Sequence, residues 1–101
     1  MNIYYLLKNK KPVIELDFNV RAKKHFSQAR FVGRYNDWYT FINTAFIWIA
    51  LWCDSAWLPI LFETMIFGGK EDWYVSRCST REQALVMHEA AVDMVKNDYI
   101  K

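Results

Sequence analysis

The stretch from Trp38 to Phe62, WYTFINTAFIWIALWCDSAWLPILF, is the feature that most limits the folds open to this chain. It is about as long as a membrane-spanning helix, and Arg30 and Arg34 precede it as a cytoplasmic flank would. A spanning helix needs roughly 20 consecutive apolar residues. This run is interrupted at Asn43, Thr44, Asp54, Ser55 and Pro59. We therefore expect no membrane span.

The residue types of the run favour extended structure. Thr, Phe, Ile, Tyr and Trp predominate, and β-branched and aromatic residues are those that favour strands. The sequence predicts one long strand from Trp38 to Trp52 and an antiparallel partner from Pro59 to Phe67. The segment CDSAWLP would join the two strands.

Turn-forming residues divide the rest of the chain into short segments. IYYLLK and VIELDF, separated by KNKKP, are predicted to form a hairpin, and ARFVGRY is predicted to be extended. Turns are expected at Asn36-Asp37 and over Gly68 to Asp72, with WYVSRC as a strand after the second turn. Residues 19–28 fit either a loop or a short helix.

The C-terminal segment carries the pattern of an amphipathic helix. Ser79 and Glu82 have the S-x-x-E spacing of a capping box, so the helix is predicted to start there. At about 100° per residue, one side of it carries Ala84, His88, Ala91, Val92 and Val95, and the opposite side carries Glu82, Glu89, Asp93 and Lys96. The predicted fold is a single α+β domain over residues 1–101, an antiparallel sheet of about four to six strands packed against one C-terminal amphipathic helix.

The chain has more aromatic surface than a core of this size hides. Aromatic residues make up 18% of 101 residues, so some are expected on the surface as a binding or oligomer interface. We assign this surface to Trp48, Trp52 and Trp57. Cys53 and Cys78 lack C-x-x-C spacing and are expected to be reduced thiols of a cytosolic protein.

Basic residues are concentrated in the first third of the chain. Residues 1–34 hold eight Lys or Arg against two acidic residues. The group that includes Lys23, Lys24, Arg30 and Arg34 is interleaved with aromatic residues, a mixture able to contact phosphates and stack on bases. A solvated rim is the alternative interpretation.

Three polar residues stand in apolar surroundings. Glu63 lies within LFETMIFGG, where desolvation would raise its pKa unless an arginine of a neighbouring strand, Arg30, Arg34 or Arg77, pairs with it. Thr64 follows it. His88 falls within the apolar arc of the helix, where an imidazole is either neutral and hydrogen-bonded or positioned for chemistry. Because no metal-binding, nucleophile or phosphate-loop motif accompanies them, no metal, cofactor or enzymatic activity is predicted.

Several blocks of this sequence resemble a family of small proteins encoded by tailed bacteriophages and prophages. The resemblance rests on YY followed by KPV, on LFETMIFGG, and on Ser79, Thr80, Ala84 and His88 in an S-T-x3-A-x3-H pattern. Family members have a Gly-Leu-Asp-His segment where this chain has Trp48-Ile49-Ala50-Leu51, which weighs against a shared metal or catalytic role. Glu63, Thr64 and His88 are the polar positions that match.

The resemblance implies a phage accessory protein made in the host cytoplasm, with no reaction assigned. We expect a non-enzymatic protein that binds a host protein, in concrete form a counter-defence inhibitor of the anti-CRISPR kind. A homodimer is compatible with this expectation. The alternative function is nucleic-acid or nucleotide binding by the basic N-terminal third.

Overall fold

The computed structural model describes residues 3–8, 10–14, 30–47, 49–50 and 53–98. These residues form seven strands and one helix: β1 Ile3–Lys8, β2 Lys11–Ile14, β3 Phe31–Asn36, β4 Phe41–Phe46, β5 Ile49–Ala50, β6 Phe62–Phe67, β7 Val75–Cys78 and α1 Arg81–Asp98. The segments predicted to be loop or helix over 19–28, and strand over 15–18, lie outside the described residues.

The main sheet has four antiparallel strands in the order β3-β4-β6-β7. Helix α1 packs across one of its faces. The prediction of an α+β fold, an antiparallel sheet with one C-terminal helix, is confirmed. A second, three-stranded antiparallel sheet, β2-β1-β5, contains the predicted N-terminal hairpin.

The apolar run folds as paired strands, as predicted. Strands β4 and β6 are antiparallel and in register from Phe41 opposite Phe67 to Phe46 opposite Phe62. In the described part of the chain, no helix is both long and apolar enough to cross a membrane. The central pairing of the sheet therefore comes from the segment whose composition resembles that of a membrane helix.

The prediction of a single strand from Trp38 to Trp52 is wrong. The strand begins at Phe41 and ends at Phe46, and Ile49–Ala50 pairs with β1 in the other sheet. Among the described residues, backbone bonding of this segment to the β6 segment ends one residue beyond the ladder, where the Ile47 amide donates to the Leu61 carbonyl at 2.7 Å, and unpaired backbone groups inside a protein are costly. The chain therefore leaves the main sheet and pairs with β1.

The hairpin of β1 and β2 also differs from the prediction at its turn. Strand β2 begins at Lys11, so that Pro12 lies within the strand, opposite Leu7. Because β2 is an edge strand, it tolerates a residue that cannot donate to a ladder. Lys10, with φ of 65°, makes the turn.

The core lies between the main sheet and α1, in two apolar clusters. One cluster consists of Ile42, Ile66, Ala91, Val92 and Val95, and the other of Phe46, Leu61, Phe62 and Ala84. The buried residues of α1 are the five predicted for its inner side, and the four residues predicted for its outer side are exposed. The helical periodicity was therefore sufficient to orient α1.

The start of α1 lies one residue later than predicted. The side chain of Gln83 accepts hydrogen bonds from the amides of Ser79 and Thr80, both at 3.1 Å, and the Thr80 hydroxyl accepts one from the Gln83 amide at 3.1 Å. The capping box is therefore Thr80 with Gln83. Ser79 is instead buried, and its hydroxyl donates to the Leu58 carbonyl at 3.4 Å, so it is not available as the cap.

Candidate functional site

A row of small and polar residues crosses the helix-facing side of the main sheet. Gly33, Thr44, Thr64 and Ser76 are successive cross-strand neighbours on β3, β4, β6 and β7. Thr44 and Thr64 are completely buried, and their hydroxyl oxygens lie 2.5 Å apart. Along β4 and β6 this row falls between the two apolar clusters, so the sheet has a polar layer in the middle of its core.

His88 of α1 lies directly on this polar layer. Its Nδ1 is 2.8 Å from the Thr44 hydroxyl, and the residue is 8% exposed. The two threonines and the histidine form a continuous hydrogen-bonded chain, Thr64–Thr44–His88. We refer to these three residues as the Thr–Thr–His network.

Gly33 leaves the space that the imidazole occupies. A Cβ atom on Gly33 would lie 2.6 Å from Cδ2 and 2.7 Å from Nε2 of His88, well inside van der Waals contact. The backbone of Gly33 is not in the left-handed region. Position 33 therefore needs a glycine because the His88 ring approaches so closely. The local backbone conformation would accept any residue.

Burial lowers the pKa of His88 below its usual value of 6.5, while the nearby charge of Glu89 opposes this shift. The imidazole is accordingly neutral at physiological pH. Because Thr44 and Thr64 are fully enclosed, no substrate can contact them in this structure. Of the two interpretations left open for His88, the geometry favours the neutral, hydrogen-bonded core residue.

Glu63 lies on the opposite face of the sheet from the Thr–Thr–His network, since successive residues of a strand point to opposite sides. Its Oε2 accepts a hydrogen bond from Nε of Arg77 on β7 at 2.9 Å. The prediction that an arginine of a neighbouring strand pairs with Glu63 is confirmed. The two side chains are 22% and 41% exposed, so the pair contributes at most about 1 kcal/mol. Glu63, Thr64 and His88 thus do not form one polar site.

Two arginines of the predicted basic surface lie within the described residues, and both contact the ring of Phe31. The guanidinium carbons of Arg34 and Arg30 lie 3.4 Å and 4.2 Å from the centroid of Phe31. Arginine over a phenyl ring is a favourable cation–π contact. Lys23 and Lys24 lie outside the described residues, as do Trp48 and Trp52.

Trp57 is exposed, at 84% of its surface, and is not a core residue. It lies in a turn with φ of 64°, and Asp54 organises this turn by accepting hydrogen bonds from the Ala56 and Leu58 amides at 2.8 and 3.0 Å. The turn follows the end of β4 that pairs with Phe62. Trp57 thus lies beyond the Phe46–Phe62 end of the β4–β6 ladder, and Phe41 lies at the opposite end.

A group of five aromatic residues, four of them exposed and one half-buried, lies at the other end of the ladder, and the sequence did not assign it to a site. The β3–β4 and β6–β7 turns meet there, because Phe41 pairs with Phe67 and Gly68 packs under the carbonyl of Tyr39. We call it the aromatic end. It consists of Trp38, Tyr39, Phe41, Phe67 and Trp73, of which Trp38 is 95%, Tyr39 75% and Trp73 69% exposed.

At the aromatic end, ring contacts join three of the five residues, and one carboxylate fixes the turn that carries the other two. Phe67 lies between Phe41 and Trp73, with ring centroids 6.2 and 5.8 Å apart. Asp37 accepts hydrogen bonds from the amides of Tyr39 and Thr40, both at 2.8 Å, and so fixes the β3–β4 turn. The sequence signal for this surface was the proximity of aromatic residues to both predicted turns.

The groups that metal binding or thiol chemistry would use are dispersed. Among the described residues, no three His, Cys, Asp or Glu side chains lie together in a way that could hold a metal ion. Cys53 and Cys78 are both free. Burial raises the pKa of the Cys78 thiol to about 11, so it remains protonated and weakly nucleophilic at neutral pH.

Replacing Gly33 with Ala should reduce the free energy of unfolding by about 1–3 kcal/mol, because the new methyl group overlaps the His88 ring. Denaturant unfolding monitored by tryptophan fluorescence would measure the loss. In a His88→Ala background the ring is absent, so Gly33→Ala should cost much less. Equal costs in the two backgrounds would show that the glycine serves another purpose.

The depressed pKa of His88 predicts a loss of stability in mild acid. The unfolded chain binds a proton at His88 near pH 6.5 and the folded chain only at lower pH, so this stability is fully present above pH 6.5 and is lost as the pH falls through the folded-state pKa. Unfolding of the wild type and His88→Gln between about pH 7.5 and 5.5 tests this prediction. The slope should be smaller in the variant, and identical slopes would contradict the assignment.

No protein-family model, no curated protein and no solved structure matches the chain.

Proposed function

We propose that this protein is a non-enzymatic accessory protein that binds a host protein through the aromatic end. The observation that carries the proposal is the exposure of Trp38, Tyr39 and Trp73 together on two adjoining turns. Exposed apolar residues scattered singly are ordinary, whereas a contiguous group of large ones marks an interaction surface. Tryptophan and tyrosine are also the residues that most often dominate binding energy.

The rigidity of the aromatic end supports a binding role. The β3–β4 turn is closed by the bond from the Asp37 amide to the Thr40 carbonyl at 2.9 Å, in addition to the bonds that the Asp37 carboxylate accepts. The amide of Trp73 donates to the Ile66 carbonyl at 2.8 Å, which ties the second turn to β6. The backbone of turns that are fixed in this way loses little further entropy on binding.

The state of the polar candidates supports the non-enzymatic part of the proposal. The carboxylate of Glu63 is paired with Arg77, and His88 is enclosed with its Nδ1 bonded to Thr44. A general acid or base must reach the substrate, and these two groups lie on opposite faces of the sheet. They are better suited to stabilising the fold than to shared chemistry.

The biological setting is part of the proposal. The sequence resemblance favours a bacteriophage accessory protein acting in the host cytoplasm, and counter-defence inhibition of the anti-CRISPR kind is the form that we favour for its action. The same surface would serve a homodimer, and in that case the oligomeric state would change with substitutions at the aromatic end.

Substitution of Trp73 or Trp38 by Ala should abolish capture of the host partner. The thermal midpoint should stay nearly unchanged in Trp38→Ala, whose side chain is 95% exposed, and fall slightly in Trp73→Ala, which loses its ring contact with Phe67. Trp57→Ala is the matched control, since it removes a tryptophan whose exposure lies between those of Trp38 and Trp73 from the other end of the ladder. Pull-down of labelled protein from host lysate, quantified for each variant, provides the measurement.

Loss of capture in Trp57→Ala, with capture retained in Trp38→Ala and Trp73→Ala, would show that the partner binds at the turn of Trp57, as the sequence predicted, and not at the aromatic end. Equal capture by all four proteins would contradict an aromatic binding surface. Size-exclusion chromatography of the same purified proteins separates self-association from partner binding. No host protein is present in this experiment, so only self-association would make the wild type elute as a larger species.

A second candidate function, nucleic-acid binding, is favoured by the convergence of Arg30 and Arg34. Two guanidinium groups on one ring form a local positive surface that could contact phosphates. The ring of Phe31 is covered by these groups and so is less accessible for base stacking. Nucleic-acid binding is therefore less favoured by the structure than protein binding.

If the second function holds, the affinity for single-stranded or duplex oligonucleotides should fall steeply with salt, since bound phosphates release counterions. Fluorescence anisotropy at low and high salt measures this, with Arg34→Gln expected to weaken binding to every sequence alike. Absence of binding at low salt would rule out the function.

A further inference from the structure

Two arginine side chains enclose the phenyl ring of Phe31 at one corner of the main sheet. The guanidinium carbons of Arg34 and Arg30 lie 3.4 Å and 4.2 Å from the ring centroid. Two groups of this size cannot share one face of the ring at these distances, because non-bonded carbon atoms pack at about 3.5–4.0 Å. The ring therefore lies between the two guanidinium groups.

From this geometry we propose that the edge of the Phe31 ring, between Arg30 and Arg34, binds the phosphate group of a phosphate monoester. The N–H donors of a guanidinium lie in its own plane, so a group stacked on a ring directs them past the ring's edge. The edge of an aromatic ring carries positive potential, whereas its faces carry negative potential. An oxyanion at this edge would meet donors from both arginines and a favourable ring quadrupole.

The two guanidinium groups match a phosphate monoester better than a diester. A monoester carries a charge of about −1.5 to −2 at pH 7 and three acceptor oxygens, which balance two arginines and can meet donors on both sides of the ring plane. Each diester of a nucleic-acid backbone carries a single negative charge and would leave one guanidinium uncompensated. Selectivity for the monoester distinguishes this site from general nucleic-acid binding.

A β-bulge places Arg34 beside Phe31. The register of β3 against β4 shifts between Phe31 and Gly33. Val32 packs against an apolar cluster under α1 and Gly33 lies against His88, so two consecutive residues face the helix. Phe31 and Arg34 consequently point to the same face of the sheet, although residues three apart in a regular strand point to opposite faces.

Neither guanidinium has a carboxylate partner within the described residues. The ion pairs there join Lys70 to Asp98 and Arg77 to Glu63. The acid in the cross-strand row of Phe31 is Glu63, two strands or about 10 Å away, and it is bonded to Arg77. Two like charges held on one ring repel each other, and a bound dianion would offset that repulsion.

Buried polar atoms without partners cluster at the same corner. Among the described residues, Nε of Arg30 and Oδ1 of Asn43 are buried and have no hydrogen-bond partner. Asn43 is the cross-strand neighbour of Arg34. A buried N–H without an acceptor is costly, and an oxyanion beside Arg30 would supply that acceptor.

The phosphate site is separate from the aromatic end. Phe31 pairs with Ala45, next to the Phe46–Phe62 end of the β4–β6 ladder, whereas the aromatic end lies where Phe41 pairs with Phe67. The inference therefore goes beyond partner binding at the aromatic end and does not depend on it.

NMR titration of the full-length protein with methyl phosphate, a monoester, and dimethyl phosphate, a diester, tests the site. At about pH 7.5, where methyl phosphate is mainly a dianion, it should give saturable shifts of the Nε–H signals of Arg30 and Arg34 and of the Phe31 ring protons. Dimethyl phosphate should bind at least about tenfold more weakly, because it lacks one charge. Equal binding of the two phosphates, or shifts from neither, would overturn the proposal.

Variants show whether both arginines are needed. Arg30→Gln and Arg34→Gln should each weaken methyl phosphate binding by about tenfold or more, since each removes one of two donor groups. Arg34 is exposed, so Arg34→Gln should fold normally. Phe31→Leu keeps an apolar strand residue but removes the ring that orients both arginines, and it should weaken binding as well.

Arg81→Gln is the matched control, because it removes one positive charge from the start of α1 and should leave binding unchanged. Equal losses in Arg81→Gln, Arg30→Gln and Arg34→Gln would show attraction to net charge alone. Full binding by either Arg30→Gln or Arg34→Gln would refute a site shared by the two arginines.

Two forms of one oligonucleotide distinguish the sources of the phosphate. A strand with a phosphorylated end that binds more tightly than methyl phosphate, and more tightly than the same strand with a hydroxyl end, identifies a nucleic-acid end as the ligand. Binding no tighter than that of methyl phosphate identifies a small phosphorylated molecule. Equally tight binding of both strands would assign the arginines to the nucleic-acid backbone and overturn the monoester site.

The outcomes also separate this inference from the proposed function. Trp38→Ala and Trp73→Ala should leave methyl phosphate binding unchanged. Failure of methyl phosphate to bind, with partner capture still lost in Trp38→Ala, would refute the phosphate site while the proposed function stands. Binding of methyl phosphate with the expected variant effects, but no loss of capture in Trp38→Ala, would leave the phosphate site standing alone.

Discussion

The rest of the structure depends on the contact of one imidazole with the middle of the sheet. His88 rests on Gly33, bonds to Thr44 and has an apolar cluster on either side of it along α1. A buried polar group is costly unless its bonds are made, so the helix can dock only where Thr44 lies beneath the ring. Apolar burial alone would tolerate small shifts of α1 along the sheet.

The same contact constrains the strands. The Thr44–Thr64 bond requires β4 and β6 to hold their observed register. A slip by two residues would place each threonine opposite an apolar side chain and leave a buried hydroxyl without a partner. The Thr–Thr–His network thus sets the strand register and the helix position together, which explains why chemically active residue types serve here as structural ones.

Much of the fold was readable from the sequence because periodicity reports burial directly. The inner side of α1 followed from the helical wheel, and the β4–β6 pair followed from strand-forming residues on both sides of a turn. The long strand through Trp52 was not predicted correctly, because its end depends on where β6 begins and on the presence of β1. The cap was assigned to Ser79 because the S-x-x-E and T-x-x-Q patterns are offset by only one residue, and the choice between them depends on Ser79 being buried against Leu58.

The candidate site was less predictable, for a physical reason. Desolvation predicted that Glu63 pairs with an arginine of a neighbouring strand, but not that Arg77 is the one among the three candidates. Whether Glu63 lies near His88 depends on which face of β6 meets the helix. Trp57 was correctly expected to be exposed. The aromatic end was missed because its residues come from two turns about 30 positions apart in the chain, and only the register of β4 with β6 brings them together.

The central claim is that the His88 ring lies against Gly33 with its Nδ1 bonded to Thr44. Proton NMR tests it most directly, through nuclear Overhauser effects between the His88 ring protons and the Gly33 α protons, together with the ring-nitrogen shifts of His88. We predict strong cross-peaks and the nitrogen shifts of a neutral imidazole at neutral pH. Absence of the cross-peaks, with ring-nitrogen shifts of a freely titrating histidine near pH 6.5, the usual value, would contradict the account.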